Sequence, residues 1–138
     1  IQYTELQEIM QHRARRSDDR NKQTTLLDQK LIGQHRELLG QDSLNALLVQ
    51  YDTQARQLIT EIEDSLTQEK YSELNQKAHT LSGAAANFGF IAVQRLAKQI
   101  EELSTQINTK PSTIESLRSK VTELITIYEL SQLQMENH

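Results

Sequence analysis

Apolar residues recur at intervals of three and four along most of this chain, and very few residues interrupt the pattern. The 138 residues include one proline and four glycines, so few positions can end a helix or form a tight turn. Leu, Gln, Glu, Lys and Ala, which favour helices, dominate instead. β-Sandwiches and barrels need frequent turns and many β-branched or aromatic residues, yet aromatic residues make up only 4% of the chain. The sequence therefore predicts an all-α domain.

Start and stop signals divide this pattern into five helices. A short helix is predicted over about residues 27–39, with Gly40 as its C-cap. Asp42 or Ser43 is expected to cap a long second helix. A third helix follows, and Gly89 separates it from the fourth.

The fifth helix has the clearest start signal, because Ser112 and Glu115 match a capping box beside Pro111. Four amphipathic helices of this length with short connections are predicted to form an antiparallel up-down four-helix bundle. The short N-terminal helix is expected to cover one end. We expect the bundle to occupy residues 26–138, and residues 1–25 to form a linker or an extra N-terminal helix.

Each of the four long helices has one apolar stripe that is predicted to face the core. In chain order the stripes are Leu44, Leu47, Leu48, Tyr51, Ala55, Leu58, Ile62 and Leu66; Tyr71, Leu74, Ala78, Leu81, Ala85 and Phe88; Val93, Leu96, Ile100, Leu103 and Ile107; and Ile114, Leu117, Val121, Leu124 and Tyr128, continuing to about Leu133.

Composition and spacing also argue against several kinds of function. Without cysteine there is no Cys-ligated metal site, and without an inward Glu-x-x-His pair there is no di-iron site, so no metal site is predicted. The net charge of −4 argues against nucleic-acid binding. No apolar run approaches the roughly 20 residues that cross a bilayer, so no direct membrane contact is expected. Four isolated glycines cannot form a phosphate-binding loop, so no ATP site or autonomous kinase activity is predicted.

His79 is the residue that breaks the amphipathic pattern. At about 100° per residue, it points roughly 130° away from the apolar stripe of the third helix, so it is expected to face solvent or a groove. The surrounding face carries Asn75, Gln76 and Ser82 in place of the usual Lys and Glu. The other histidines are interpreted as solvated surface residues, and they are His12, His35 and His138.

Gly83 follows His79 by one helical turn. A glycine inside a helix lowers stability by about 1 kcal/mol relative to alanine, so a structural or functional reason for Gly83 is expected. Here it removes a side chain that would crowd the imidazole, and the run Gly83–Ala86 leaves a bare shelf that another protein can approach. The alternative explanation for these small residues is tight packing against an adjacent helix, which accounts for Ala85 better than for Gly83.

The segment from His79 to Gly89, His-Thr-Leu-Ser-Gly-Ala-Ala-Ala-Asn-Phe-Gly, is followed by Leu96 and Glu101 and resembles the signature of histidine phosphotransfer (HPt) domains. These domains are relay modules of multistep two-component signalling. The resemblance covers about residues 26–133 and implies that the imidazole takes a phosphoryl group from an aspartate of one receiver domain and yields it to another. Histidine titrates near pH 6.5, so a neutral nucleophilic nitrogen is readily available at cellular pH.

The resemblance also implies roles for residues near the phosphoryl acceptor, His79. Glu101 matches a residue that accepts the ring N–H and fixes the tautomer. Lys98 is expected to stabilise the phosphoryl charge, and Ser82, where many members have lysine, to hydrogen-bond a phosphoryl oxygen. Gln94, Lys98 and Glu101 share one flank of the fourth helix, which converges on His79 for one handedness of the bundle only. No cofactor is expected in this chain, since Mg²⁺ belongs to the partner receiver domain.

The docking surface is expected to surround the acceptor histidine and to include Gly83, Ala86, Asn75 and Gln76. The expected partners are receiver domains of a hybrid sensor kinase and of a response regulator, and binding should be transient. An adaptor function without phosphoryl transfer, in which the Gly83–Ala86 shelf receives a partner helix, is the alternative hypothesis. His79→Gln distinguishes the two, because only a relay should lose its function.

A second resemblance concerns the parent protein. Residues 37–66 resemble the C-terminal module of hybrid sensor histidine kinases of the trimethylamine-N-oxide-sensing type. The chain also begins at Ile1 without Met, and we expect it to be a piece of a longer protein. The resemblance implies the cytoplasmic part of a bacterial inner-membrane sensor, monomeric as an isolated module.

Overall fold

The computed structural model describes residues 25–136, and within that range all the regular secondary structure is helical. The helices are α1 (Gln29–Leu39), α2 (Gln41–Thr67), α3 (Tyr71–Phe88), α4 (Ile91–Ser104) and α5 (Thr113–Glu136). No helix among these residues is long and apolar enough to cross a membrane. His12, His138 and all but the last residue of the predicted linker lie outside the described residues.

The four long helices form the predicted antiparallel up-down bundle. The connections between them are short, over residues 68–70, 89–90 and 105–112, so each helix packs against the one before it. One contiguous core fills the space between the helices. Fully buried members include Leu74, Leu81, Ile100, Leu117 and Leu124. The apolar stripes therefore do what their spacing predicts, which is to bury one face of every long helix.

The prediction of a core position is wrong for two residues. Leu47 is 37% exposed and Leu133 is 56% exposed. Leu47 lies at the edge of the α2 stripe, where Leu48 packs against the core instead. In the last turns of α5 the inward positions are taken by Ser131 and Gln132, so Leu133 faces solvent.

The helix boundaries agree with the sequence except at two N-termini and at the end of α4, which stops at Ser104, so that Ile107 lies in the connection to α5 and not on the helix as predicted. Gly40 is the C-cap of α1 as predicted, but with φ +86° it also turns the chain directly into α2, so neither Asp42 nor Ser43 caps that helix. At the start of α5, the bond between Ser112 and Glu115 joins their backbones. The carboxylate of Glu115 lies 3.5 Å from Arg118 and is not turned back onto the helix start.

Helix α1 covers the end of the bundle at which α3 turns into α4. The backbone N–H of Asp28 donates to the carbonyl of Gly89 (2.7 Å), and the Asp28 side chain caps α1 by accepting from the backbone of Leu31 (3.1 Å). The ring of His35 is half-buried, with Nε2 2.9 Å from the carbonyl oxygen of Asn87. His35 is therefore a surface residue as interpreted, but one whose ring is partly covered and makes a contact with the end of α3.

Gly89→Ala should destabilise the bundle, whereas Gly33→Ala should not. Gly89 has φ +78°, and a Cβ there would lie 3.2 Å from Ile32 and 3.3 Å from the Asp28 carbonyl oxygen. Left-handed backbone alone costs an L-residue about 1–2 kcal/mol. Gly33 is inside α1 with open space around it, so alanine there should add about 0.5–1 kcal/mol of stability. Urea midpoints that moved in the same direction for both variants would contradict this account.

Helices α2 and α5 are joined by a polar cluster. The Tyr128 hydroxyl donates to Asp52 (2.6 Å), Gln132 donates to the same carboxylate oxygen (2.9 Å), and Arg56 binds both Asp52 (2.9 Å) and Glu129 (2.7 Å). Burial raises the pKa of Tyr128 well above its usual range, so this hydroxyl stays protonated and can donate. The cluster ties together two helices whose direct contact is sparse.

Candidate functional site

His79 lies in the middle of α3 on the outside of the bundle. Its side chain is 73% exposed, while Ala78 beside it is fully buried. The exposed position agrees with the angle of His79 to the apolar stripe. The preceding core residue fixes the helix face, so the imidazole is held at a defined place on the surface.

The Glu101 carboxylate of α4 reaches this imidazole. Nδ1 of His79 and Oε2 of Glu101 are 3.0 Å apart, and the Glu101 side chain is only 23% exposed. An ionised carboxylate can only accept, so Nδ1 carries the proton of this bond. In the neutral ring the other nitrogen, Nε2, then carries the lone pair. The contact with Glu101 therefore leaves Nε2 as the nitrogen of the exposed ring that can act as a nucleophile.

The second carboxylate oxygen of Glu101 makes the contact with His79 more important for this group. Oε1 is buried and has no hydrogen-bond partner among the described residues. A buried acceptor without a donor is costly, so the bond to Nδ1 is the main compensation that this carboxylate has. Its charge is thus placed to stabilise positive charge that develops on the imidazole.

Asn75 lies one turn before His79 and is half-buried. Its Nδ2 donates to the carbonyl of Glu101 (2.9 Å) and to Oγ of Ser104 (3.0 Å). The amide thus faces α4 and not the solvent side of the expected docking surface. Ser104 was not singled out in the sequence, although a serine near a helix end, three residues after Glu101, is a typical partner for a free carbonyl group.

The other expected docking residues surround His79 on α3. Gln76 and Gly83 are exposed, and Ala86 is half-buried. A Cβ on Gly83 would meet nothing within 4 Å. Neither crowding of the imidazole nor packing against a neighbouring helix therefore explains this glycine within the described residues.

Two further side chains expected to contact a phosphoryl group differ in accessibility. Ser82 is 8% exposed, so little of it is open to a group bound at His79. Lys98 is exposed on α4 and lines a shallow cavity with Gln94 and Arg95. Because α3 and α4 are antiparallel and Glu101 is level with His79, Lys98 is about level with Ser82 and Gly83, roughly one turn further along. No group of three or more His, Asp or Glu residues able to hold a metal ion occurs in residues 25–136.

A helical bundle that presents an exposed histidine paired with a carboxylate defines a class of protein, the histidine phosphotransfer domains. The family model of the Hpt domain matches residues 46–135, which is more than half of the chain, so the chain belongs to this family. Such domains pass phosphoryl groups between receiver-type partners.

A solved structure supports the fold. The crystal structure of histidine-containing phosphotransfer protein B (HptB) from Pseudomonas aeruginosa PAO1 is similar, with a TM-score of 0.57 and 19% sequence identity. The likeness covers 77% of this chain and 94% of that one. No curated protein matches the chain.

Proposed function

We propose that this domain is a phosphorelay intermediate in which His79 accepts a phosphoryl group from an aspartate of one receiver domain and passes it to the aspartate of a response regulator. The observation that carries the proposal is the 3.0 Å contact between Nδ1 of His79 and Glu101, which leaves Nε2 as the ring nitrogen that is available on the exposed side chain.

The proposed transfer needs little chemistry from this chain. Nε2 attacks the phosphorus of the aspartyl phosphate, the P–O bond to the aspartate breaks, and the carboxylate leaves with the bonding electrons. The proton on Nδ1 stays in place, and Glu101 stabilises the positive charge of the phosphorylated ring. Transfer to the second receiver reverses these steps. Phosphoryl transfer depends mainly on positioning and charge neutralisation, and we expect the receiver to contribute Mg²⁺.

Further residues are proposed to assist. Lys98 is exposed and about one turn from the imidazole, which favours a role in neutralising phosphoryl oxygens. Ser82 is nearly buried, so a hydrogen bond from its hydroxyl to the phosphoryl group is the weaker part of the proposal. We propose that Gln76, Gly83 and Ala86 form the docking surface, and that the interface stays near or below about 1,200 Å², as suits a transient complex.

We further propose that the domain is the C-terminal module of a bacterial hybrid sensor histidine kinase, in the cytoplasmic part of an inner-membrane sensor. The support is the resemblance of residues 37–66 to sensors of the trimethylamine-N-oxide type. As an isolated module we expect a monomer.

The test of the proposed function is a transfer assay with ³²P-labelled receiver domains. The domain should take up label that is lost in acid and kept in base, which is the behaviour of a phosphoramidate and the opposite of a phosphoserine. Labelled domain mixed with a fresh receiver should then lose its label to that receiver. A domain that takes up no label from any receiver offered, or whose label survives acid, would contradict the proposal.

Gly83→Ala should make the domain more stable and a poorer relay. Because the added methyl meets open space, the variant should gain about 0.5–1 kcal/mol of unfolding free energy. The same methyl projects into the proposed interface, where overpacking of about 1–3 kcal/mol should slow transfer from a receiver roughly tenfold. The control is Gly33→Ala, which adds a methyl to a position of α1 that also has open space around it and is not part of the proposed docking surface. Unchanged transfer by Gly83→Ala would remove Gly83 from the docking surface.

A further inference from the structure

The residues behind His79 form a closed set of hydrogen bonds. Asn75 uses both of its amide hydrogens, one on the Glu101 carbonyl (2.9 Å) and one on Oγ of Ser104 (3.0 Å). Ser104, which is 7% exposed, accepts this bond and donates its own hydrogen to the Glu101 carbonyl (2.7 Å). We call these three residues the Asn75 clamp.

The clamp compensates for the end of α4. The last four carbonyl groups of a helix have no N–H partner one turn later, and α4 ends at Ser104. The N–H of Thr105 donates to Glu102 (3.2 Å) instead of Glu101. The Glu101 carbonyl therefore has its hydrogen bonds from Asn75 of the neighbouring helix and from Ser104. In effect, a side chain of α3 caps the last turn of α4.

This last turn is the one that carries the Glu101 carboxylate. Asn75 and His79 are one turn apart on the same face of α3, so Glu101 is held there at two points. Asn75 holds its carbonyl, and His79 Nδ1 bonds its carboxylate at 3.0 Å. A shift of α4 by a fraction of a turn would break both contacts together.

We propose that Asn75 is a positioning residue for phosphoryl transfer: by capping the Glu101 carbonyl, together with Ser104, it keeps the Glu101 carboxylate on Nδ1 and so keeps Nε2 unprotonated. The proposal rests on the proposed function and adds a residue that acts through Glu101 without touching the phosphoryl group.

The physical reason lies in the two tautomers of a neutral imidazole. In water a histidine side chain favours the proton on Nε2, which would occupy the nitrogen that has to attack. A carboxylate at Nδ1 reverses this preference. The carboxylate does so only while its own backbone is fixed, and the end of a helix frays unless its carbonyl groups are capped.

The test combines imidazole NMR with chemical phosphorylation. Long-range ¹⁵N–¹H spectra identify which ring nitrogen of His79 carries the proton. Phosphoramidate, a small donor, measures nucleophilicity without any receiver docking: Nε2 attacks the phosphorus, the P–N bond breaks, and ammonia leaves. In the wild type we expect the Nδ1–H tautomer. Asn75→Ala should shift the population toward Nε2–H and slow labelling about fivefold, the equivalent of one hydrogen bond.

Two further variants separate positioning from general loss of stability. Ser104→Ala should shift the same readouts in the same direction by less, because the bond from Asn75 to the Glu101 carbonyl remains, and it keeps the test possible if Asn75→Ala does not fold. Tyr128→Phe removes a partly buried hydrogen bond between α2 and α5 and should leave both readouts unchanged at comparable loss of stability.

Each outcome bears on one proposal. Tautomer and labelling that change in Asn75→Ala and not in Tyr128→Phe support the clamp. If the wild type is labelled and Asn75→Ala matches it in both readouts, or if Tyr128→Phe changes as much, the clamp proposal is overturned while the relay stands. If phosphoramidate does not label the wild type at all, the relay proposal fails, and the tautomer spectra still decide whether Asn75 orients the ring.

Discussion

A His79→Gln domain should take up no phosphoryl group from a phosphorylated receiver, under conditions in which the wild type is labelled. Glutamine fills a similar volume and can still hydrogen-bond to Glu101, but its amide nitrogen has no lone pair available for attack on phosphorus. Label on the variant should therefore fall to the background of an assay without domain.

The fold should survive this substitution. The side chain is 73% exposed and contributes little to the core, and glutamine is at least as good a helix former as histidine. We expect the unfolding free energy to change by no more than about 0.5 kcal/mol, as is usual at exposed positions. Circular dichroism and a urea titration on the same preparation would establish that lost labelling is not lost structure.

His35→Gln is the matched control for the same chemical change. His35 is the other histidine among residues 25–136, and its ring contacts the Asn87 carbonyl at the end of the bundle (2.9 Å). This variant should be labelled like the wild type. Equal labelling of His79→Gln and wild type would place the phosphoryl group elsewhere, and the adaptor hypothesis at the Gly83–Ala86 shelf would then be the better account.

The sequence predicts much of this site because helical periodicity is a local property. The angle between His79 and the apolar stripe follows from the rise and turn of one helix, and the exposed side chain agrees with it. The same rule is less reliable at the edge of a stripe. Leu47 is on such an edge, and whether it is covered depends on how closely the next helix approaches.

Contacts between helices are where periodicity is insufficient. Gln94, Lys98 and Glu101 share a flank of α4, but only the handedness of the bundle decides whether that flank faces α3. The structure brings Glu101 to His79, and Lys98 lies about one turn before Glu101 on the same helix. The role of Asn75 depends in addition on where α4 ends, because only an uncapped carbonyl offers its side chain a partner. The apolar periodicity of a single helix determines neither the handedness of the bundle nor the residue at which α4 ends.

The largest effect on stability is expected from Phe90→Ala. Phe90 lies in the two-residue connection between α3 and α4 and is fully buried. Its ring centroid is 4.7 Å from that of Tyr51 on α2 and 6.0 Å from that of Tyr128 on α5. Since α2 and α5 contact each other only sparsely, this ring fills the space between them at one end of the bundle.

Truncation to alanine removes that ring and leaves a cavity between the two tyrosines. The loss should be about 3–5 kcal/mol of unfolding free energy, which for a domain of this size lowers Tm on the order of 10–20 °C. Burial also raises the pKa of Tyr51 above its usual range, so its hydroxyl stays un-ionised. This hydroxyl has no hydrogen-bond partner within the described residues. Water that enters the cavity would then reach it.

Leu38→Ala is the control, since it also truncates a large apolar side chain, but one that is 81% exposed. It should change stability by no more than about 0.5 kcal/mol. Phe90→Leu should lie between the two, because leucine refills part of the cavity but lacks the ring faces that contact both tyrosines. If urea unfolding ranked Leu38→Ala as equal to Phe90→Ala, the aromatic cluster would not be what joins α2 and α5, and the polar cluster around Asp52 would have to hold that end of the bundle alone.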